Sequence, residues 1–536
     1  MAKLHFISDM SKQIVLFPHR MDEKIAANDP VRVLDSLRER KGKRGYLTNN
    51  IDGTFFALLL CQYMYDKYKT MIYNMLISSF RKHEMTITMK HSSLLLHCFF
   101  MFCGLGWTII PVRGEVVYTY PSIPYAHAER FGAPVLNDTI VLPAAYGVGM
   151  STQQKSGNTG VRKVAYQRTY TADQPTTESH YVLPQHADYQ MTEDCQVLTV
   201  NTPFAYGATG TEAQRLPVLV YIHGGNYFAG GGEKPNTQLA ELAARGQVVT
   251  VSITYRLGIF GYYYAPSFAT PNCGLLDQLA ALEWVKRYIS LFGGDAENIT
   301  LAGQSAGAQS VVYCLADTSR VSIRRAVVFS APMGLTTSAA TARKRTKWVE
   351  EYFAAHYNET NNHGRDARNP VMDVRTCPAD TLLAVQLRYQ DTHTQAWHSL
   401  PFSPTDLSQK PCYGDKVQWP EQVVVCAQED DGSMFGPKVL WPMLTSVVFT
   451  SPAKSYVRYL QREGVDAQYH LFRWKPKDSP IGAAHCCELP LLLGTSEEWI
   501  GTWIMGTVGK EELEERRKKA MDDFAHFMRT GNWIME

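Results

Sequence analysis

The feature that most constrains the fold is an apolar run that passes through Gly-x-Ser-x-Gly into a helical pattern. Residues 299–302 are apolar enough for a buried strand, and residues 309–316 are typical of a helix. Between them, Ser305 is flanked by Gly303 and Gly307. A strand that turns sharply into a helix at such a serine is a nucleophile elbow, in which the glycines let strand and helix approach closely. The pattern predicts an α/β fold with a reactive serine at a helix N-terminus, where the helix dipole favours a developing anion.

Size and composition leave room for more than this one unit. The 536 residues suffice for one large α/β domain and an additional segment, and a hydrophobic content of 45% is typical of a globular core. Residues 1–90 carry a net charge of +6 and the remaining residues a net charge of −4. This unequal division indicates that the N-terminal part and the rest of the chain have different origins. Eleven cysteines form no zinc pattern and no dense disulfide framework. The adjacent Cys486 and Cys487 are expected to be free thiols, because a disulfide between neighbours is strained.

The N-terminal segment differs from the rest of the chain. Residues 13–37 resemble the start of insertion-sequence transposases, with matches at Leu16, Pro18, Ile25, Asn28, Pro30, Val31 and Arg32. The chain does not supply the acidic metal-binding residues that this family uses to cleave DNA strands. A short basic run, residues 41–44, is more often solvated than bound to nucleic acid. We interpret residues 1–88 as a fused or misread fragment without transposase activity.

Residues 94–110 form the most apolar stretch, broken by His97. Its length suits a signal-peptide core better than a membrane span, so no stable membrane span is expected. Because Met89 and Lys90 precede it, residues 89–112 are typical of a signal-like segment, and we predict that the working protein starts near Met89 and is exported. The alternative, a core helix in a misassembled N-terminus, leaves a cytoplasmic location open.

From residue 113 the pattern changes to short strands, turns rich in Gly and Pro, and longer helices, as in an α/β sheet. Residues 115–530 resemble the type-B carboxylesterases, the cholinesterase-like branch of the α/β-hydrolase fold. The matching motifs, in chain order, are SIPYA at 122–126, TEDCQVLTVN at 192–201, HGGN at 223–226, YRLGIFG at 255–261, GLLDQ at 274–278, FGGD at 292–295 and TGN at 530–532. The resemblance implies an α/β-hydrolase domain over residues 113–536, with a mostly parallel central sheet flanked by helices and residues 1–88 as an unrelated appendage.

Residues 218–222 are an apolar run suited to a buried parallel strand, and glycines follow at once. Ester hydrolysis develops negative charge on the carbonyl oxygen, which backbone N–H groups stabilise. By resemblance, this oxyanion hole consists of the N–H groups of Gly225, Asn226 and Ala306. Asn226 occupies a position that is usually glycine in the family.

A serine hydroxyl needs a general base, and the base needs an orienting acid. In this fold the chain order is serine, acid, histidine. By resemblance, the acid is Asp431, with Asp430 as the open alternative, and the base is His485 in the stretch GAAHCCE at 482–488. Glu488 matches a buried acid that lies behind the histidine in the family.

The sequence therefore predicts a serine carboxylesterase that acts on a small-molecule ester through an acyl-enzyme, with no metal or cofactor and no nucleic-acid partner. Three alternatives stay open at this point: a catalytically inactive cholinesterase-like binding module, a DNA-associated protein judged from residues 13–44 alone, and the product of a decayed fused gene. The acyl and alcohol pockets are expected in the loops of residues 332–420, where the match to the family is faint, so the resemblance assigns no particular ester.

Overall fold

The structure is a computed structural model. It describes residues 116–140, 142, 146–149, 162–170, 183–184, 189–207, 215–317, 321–333, 335, 337–358, 372–393, 402–405, 417–502 and 504–536. The predictions for residues 13–37 and 89–112 lie outside the described residues and stay predictions.

Short strands dominate the first half of the described chain. The strands are β1 (Val116–Pro124), β2 (Ala126–His127), β3 (Val135–Leu136), β4 (Tyr146–Gly149), β5 (Arg162–Val164), β6 (Thr169–Tyr170), β7 (Leu183–Pro184), β8 (Tyr189–Met191), β9 (Val197–Thr202), β10 (Leu216–Ile222), β11 (Val249–Ile253), β12 (Gly294–Gln304), β13 (Arg325–Phe329), β14 (Gln422–Gln428) and β15 (Asp466–Phe472).

Helices alternate with the strands from β10 onward. They are α1 (Ala240–Gly246), α2 (Gly258–Tyr262), α3 (Cys273–Tyr288), α4 (Ala306–Ala316), α5 (Ala339–Phe353), α6 (Ala379–His393), α7 (Trp441–Leu444), α8 (Ser451–Arg462), α9 (Leu489–Leu492), α10 (Ser496–Trp499) and α11 (Lys510–Thr530). None of the helices in the described part of the chain is both long and apolar enough to cross a membrane.

Nine of the strands in the described part of the chain form one central sheet, in the order β15-β14-β13-β12-β10-β11-β9-β1-β4. The six strands from β15 to β11 pair in parallel, whereas β9, β1 and β4 pair antiparallel at one edge. The sheet is thus mostly parallel, as the sequence predicts. Parallel pairing brings the carboxyl ends of β10, β12, β13 and β14 to the same edge of the sheet, where ligands bind in α/β folds.

Both faces of this sheet are buried, which β10 illustrates. Val218, Val220 and Ile222 belong to one large apolar cluster, whereas Leu219 and Tyr221 belong to a second. Because successive side chains of a strand point to opposite faces, the two clusters cover opposite sides of the sheet. A continuous apolar run is therefore required here, which is the pattern of a parallel strand covered by helices on both faces.

Candidate active site

Ser305 lies at the junction between β12 and α4, one residue beyond the carboxyl end of the strand. Its backbone has φ 56° and ψ −124°, a strained conformation for a residue with a Cβ atom. A Cβ atom on Gly303 would collide with the carbonyl of Gly307, and one on Gly307 would collide with the carbonyl of Ile222. Both glycines of the motif are therefore required by close packing between β12, α4 and β10. The elbow that the sequence predicts is formed.

Asp431 and His485 form a buried hydrogen-bonded pair. Their Oδ1 and Nδ1 atoms are 2.8 Å apart, and the two side chains are 0% and 1% exposed. The other carboxylate oxygen of Asp431, Oδ2, accepts hydrogen bonds from the backbone N–H of Gln428 at 2.7 Å and from Ser330 Oγ at 3.0 Å. Because an ionised carboxylate only accepts, Nδ1 of His485 carries the proton and Nε2 is left with its lone pair.

Asp430, the alternative acid, has a different position. Its Oδ2 accepts a hydrogen bond from the backbone N–H of Ala483 at 3.0 Å, and its own N–H donates to the carbonyl of Ala483 at 2.9 Å. Asp430 thus fastens the loop that carries His485, while Asp431 contacts the imidazole. The two acids that the sequence left open therefore make different contacts.

Aromatic rings and an amide surround the imidazole of His485. The ring centroids of Phe435 and Phe449 each lie 5.0 Å from that of His485. Nε2 of His485 is 3.2 Å from Nε2 of Gln304, the residue that precedes Ser305. The imidazole of His485 therefore lies against the residue that precedes Ser305, at the carboxyl end of β12.

The loop after β10 lies against the elbow. A Cβ atom on Gly224 would be only 3.1 Å from Cβ of Ser305. Gly225 and Asn226 both have positive φ, at 105° and 53°, and no acceptor among the described residues binds their backbone N–H groups. Ala306 is the first residue of α4, so its N–H has no acceptor within the helix. These three N–H groups are available for a substrate oxygen.

His223, the first residue of the HGGN motif, supports this loop. Its ring stacks on Tyr255 at 4.4 Å between centroids, and Nδ1 lies 2.8 Å from the carbonyl oxygen of Gly224. Tyr255 also donates a hydrogen bond from its hydroxyl to the backbone carbonyl of His223 at 2.9 Å. Burial lowers the pKa of His223 to about 4, so the ring is neutral near pH 7. Two of the sequence motifs therefore meet in one packing contact.

A buried ion pair joins the YRLGIFG motif to the GLLDQ motif. Arg256 contacts Asp277 through Nη2 and Nε, each at 2.8 Å from a carboxylate oxygen, and the two side chains are 3% and 0% exposed. The backbone N–H of Arg256 also donates to Asp277, at 3.0 Å. Such a bidentate pair fixes the segment after β11 against α3. Arg256 and Asp277 therefore stabilise the fold around the site.

Glu488 lies three residues beyond His485 and is buried. Its Oε2 accepts a hydrogen bond from Gln428 Nε2 at 2.6 Å, and the neighbouring backbone N–H of Gln428 is bound to Asp431. Burial raises the pKa of Glu488 from 4.5 to about 8. The carboxyl group is therefore protonated and neutral near pH 7, which avoids a second buried negative charge close to Asp431.

Replacing Glu488 with glutamine should change how stability depends on pH. Between pH 4.5 and 8 the folded chain holds a proton on Glu488 that the unfolded chain releases, so the free energy of unfolding falls as pH rises through this range. Glutamine does not ionise, so the free energy of unfolding of Glu488→Gln should not fall in this range. At alkaline pH the variant should therefore be more stable than the parent by up to ~5 kcal/mol. Urea unfolding from pH 5 to 9 measures the difference. The exposed substitution Glu463→Gln is the control, and parallel pH curves for Glu488→Gln and the parent would contradict the prediction.

Sequence reasoning missed three residues of this site: Gln304, Ser330 and Phe449. Gln304 could have been noticed, because it directly precedes the serine of the elbow. Ser330 follows β13 and reaches Asp431 only because β13 lies between β12 and β14. No local signal marks that contact. The free thiols predicted at Cys486 and Cys487 are found, and Cys195 is also free.

A serine on a strained strand-to-helix turn, with a buried acid–histidine pair at the same sheet edge, is the arrangement of α/β-hydrolases. Residues 108–440 match the Carboxylesterase family. The chain belongs to this family and is a carboxylic-ester hydrolase.

Among its relatives is a protein of Rhodococcus erythropolis described as a "Probable N-octanoylanthranilate hydrolase", 30% identical over 460 residues that cover 78% of this chain and 90% of the relative. The para-nitrobenzyl esterase of Bacillus subtilis is 27% identical over 392 residues, which cover 64% of this chain and 75% of the relative. A solved structure described as a thermophilic PNB esterase has the same fold, with a TM-score of 0.59, 24% identity, and coverage of 78% of this chain and 88% of that one.

Proposed function

We propose that the chain hydrolyses carboxylic esters through an acyl-enzyme on Ser305, with His485 as general base and Asp431 as orienting acid. The observation that carries the proposal is the buried hydrogen bond of 2.8 Å between Asp431 and His485 at the sheet edge that holds the elbow serine. A serine hydroxyl is a weak nucleophile until an oriented imidazole removes its proton. We also propose that residues 113–536 form the catalytic domain, since every residue of this site lies there.

In the acylation step, Ser305 Oγ bonds to the ester carbonyl carbon while its proton passes to Nε2 of His485. Asp431 stabilises the imidazolium that results. The electron pair of the C=O π bond moves to the carbonyl oxygen, which becomes an oxyanion. The N–H groups of Gly225, Asn226 and Ala306 stabilise that charge, and the loss of one such donor typically costs about 2.7–4 kcal/mol.

The tetrahedral intermediate then collapses. The C=O bond re-forms, the bond to the alcohol oxygen breaks, and the alcohol takes the proton from His485. In deacylation, water adds to the acyl carbon as His485 takes its proton, and the carboxylic acid leaves as the proton returns to Ser305 Oγ.

One comparison supports an aromatic ester as the substrate class. One relative is a para-nitrobenzyl esterase, whose name denotes an aromatic ester. We therefore propose aromatic esters with short acyl chains as the first substrates to test.

The test is hydrolysis of p-nitrophenyl acetate and p-nitrophenyl butyrate by the full-length protein, beside its Ser305→Ala variant. Release of p-nitrophenolate that depends on Ser305 supports the proposal. A folded protein that releases none would instead favour the non-catalytic binding module.

A further inference from the structure

Residues 438–462 form one helical segment that begins shortly after the turn of Asp431. A 3₁₀ turn (Lys438–Leu440) leads into α7, and a π-helical turn (Thr445–Thr450) joins α7 to α8. We call residues 438–462 the amphipathic segment, because its two faces differ in burial and in charge.

The inner face of the amphipathic segment is buried against the domain. Its buried side chains are Leu444, Val448, Phe449, Ala453, Val457 and Leu460. The last three belong to the large apolar cluster on one side of the central sheet. The ring of Phe449 contacts the imidazole of His485. The inner face therefore anchors the segment beside the candidate active site.

The outer face of the amphipathic segment is rich in exposed apolar side chains. Eight large hydrophobic side chains are exposed in the part of the chain that the structure describes, and four of them lie on this segment: Val439, Met443, Val447 and Tyr459. Val439 is 83% exposed and Val447 is 61% exposed. Val439, Met443 and Val447 recur every four residues and therefore line one side of the helix. Single exposed apolar residues are ordinary, whereas a cluster of them marks an interaction surface.

The charged side chains of the outer face are all basic. They are Lys438, Lys454, Arg458 and Arg462, and residues 437–462 contain no Asp or Glu. Glu463 is the first acid after them. No ion pair between described residues includes any of the four basic side chains. The chain beyond residue 90 carries a net charge of −4, so this basic face contrasts with the rest of the domain.

We propose that the outer face of the amphipathic segment docks on the surface of an anionic lipid bilayer. A helix that lies in the plane of such a surface buries its apolar side chains at the headgroup boundary, while Lys and Arg side chains attract the anionic headgroups. The outer face supplies both kinds of side chain, and its basic residues complement the charge of the lipid. Because the inner face contacts His485, docking holds the candidate active site beside the bilayer. The binding itself does not depend on catalysis by Ser305.

The test is co-sedimentation of the full-length protein with lipid vesicles. The protein should bind vesicles made of phosphatidylglycerol and phosphatidylcholine in equal parts, and it should bind vesicles of phosphatidylcholine alone at least ~10-fold more weakly. Raising the salt concentration to about 1 M should weaken binding to the anionic vesicles, because the Debye length falls to about 3 Å. Absence of binding to the anionic vesicles would overturn the inference.

Two sets of substitutions separate the contributions of charge and apolar contact. The charge variant combines Lys454→Gln, Arg458→Gln and Arg462→Gln, and it should bind the anionic vesicles at least ~10-fold more weakly than the parent. The apolar variant combines Val439→Thr, Met443→Gln and Val447→Thr, and it should also bind about 10-fold more weakly, because less apolar surface is buried at the headgroup boundary. All six side chains are exposed, so both variants should keep the thermal unfolding of the parent and its rate of p-nitrophenyl acetate hydrolysis.

The matched control removes the same charge from another exposed helix. It combines Arg516→Gln, Lys518→Gln and Lys519→Gln on α11, where acidic residues alternate with the basic ones. This control should change vesicle binding by less than about 2-fold, because its charges lie outside the docking face and are screened by salt. An equal loss of binding in the control and in the charge variant would overturn the inference, and so would parental binding in both variants of the amphipathic segment.

Size-exclusion chromatography distinguishes the bilayer from a second copy of the chain as the occupant of this face. Lipid docking predicts the same oligomeric state for the parent and the apolar variant. A parent dimer that the apolar variant converts to a monomer, together with no binding of the parent to anionic vesicles, would assign the face to contact between copies and overturn the inference. If Ser305→Ala binds the vesicles like the parent, docking stands independently of the proposed esterase activity, whereas loss of binding in Ser305→Ala would contradict that independence.

Discussion

Replacing Ser305 with alanine should lower kcat for p-nitrophenyl butyrate by at least ~10⁴-fold. The substitution removes only the hydroxyl that forms the acyl-enzyme, and alanine keeps the Cβ atom that already occupies the strained elbow at φ 56°. The fold should therefore persist, with circular dichroism and thermal unfolding close to those of the parent. Residual turnover would reflect the N–H donors of the oxyanion hole alone.

Ser310→Ala is the control for this experiment. Ser310 lies on the same helix, is fully buried, and its Oγ donates to the hydroxyl of Tyr227 at 3.4 Å. Loss of this hydroxyl should change kcat by less than about 10-fold, since only one long hydrogen bond is removed. If Ser305→Ala kept an activity similar to that of Ser310→Ala, the nucleophile would have to be another residue.

Asp431→Asn should lower kcat by ~10⁴-fold. The carboxylate of Asp431 accepts from Nδ1 of His485 at 2.8 Å and so fixes the tautomer whose Nε2 is basic. An amide can instead present its N–H to Nδ1, which favours the tautomer with the proton on Nε2 and removes the base. The oxygen of this amide can take the position of Asp431 Oδ2 and still accept the hydrogen bonds from Gln428 and Ser330, so the loop should keep its structure.

Asp430→Asn, one residue away, provides a matched comparison. The carboxylate of Asp430 accepts a hydrogen bond from the backbone N–H of Ala483 in the histidine loop at 3.0 Å, and asparagine retains an acceptor for this bond. We expect less than about 10-fold loss of kcat, since no change at the imidazole is involved. A loss for Asp430→Asn as large as that for Asp431→Asn would show that the two acids are wrongly assigned.

The strand β10 and the elbow were predictable because each is encoded locally. The apolar run at 218–222 predicts β10, found as Leu216–Ile222, because a strand covered on both faces must be apolar throughout. The spacing of Gly303, Ser305 and Gly307 predicts the elbow, because the close approach of strand and helix excludes a Cβ atom at both glycines. The pairing of Asp431 with His485 was instead expected from the resemblance to the family, in which the serine, the acid and the histidine follow one another along the chain.

The contacts that could not be predicted depend on which strands are neighbours. Ser330 binds Asp431 because β13 lies beside β14, an order that no local pattern encodes. Phe449 is an ordinary apolar residue in the sequence, and only the packing of the segments after β14 brings its ring, with that of Phe435, to His485. Whether Asp430 or Asp431 faces the base also depends on a turn geometry that the acidic run itself leaves open.

The most direct test of the central claim is covalent labelling of the full-length protein with a fluorophosphonate, followed by mass spectrometry of its peptides. A serine activated by an imidazole and set opposite backbone N–H donors reacts with such reagents at phosphorus and releases fluoride. The proposed mechanism predicts one phosphonyl group per chain, attached to Ser305, with esterase activity lost in proportion to labelling. Attachment to a different residue, or full activity after complete labelling of Ser305, would contradict it.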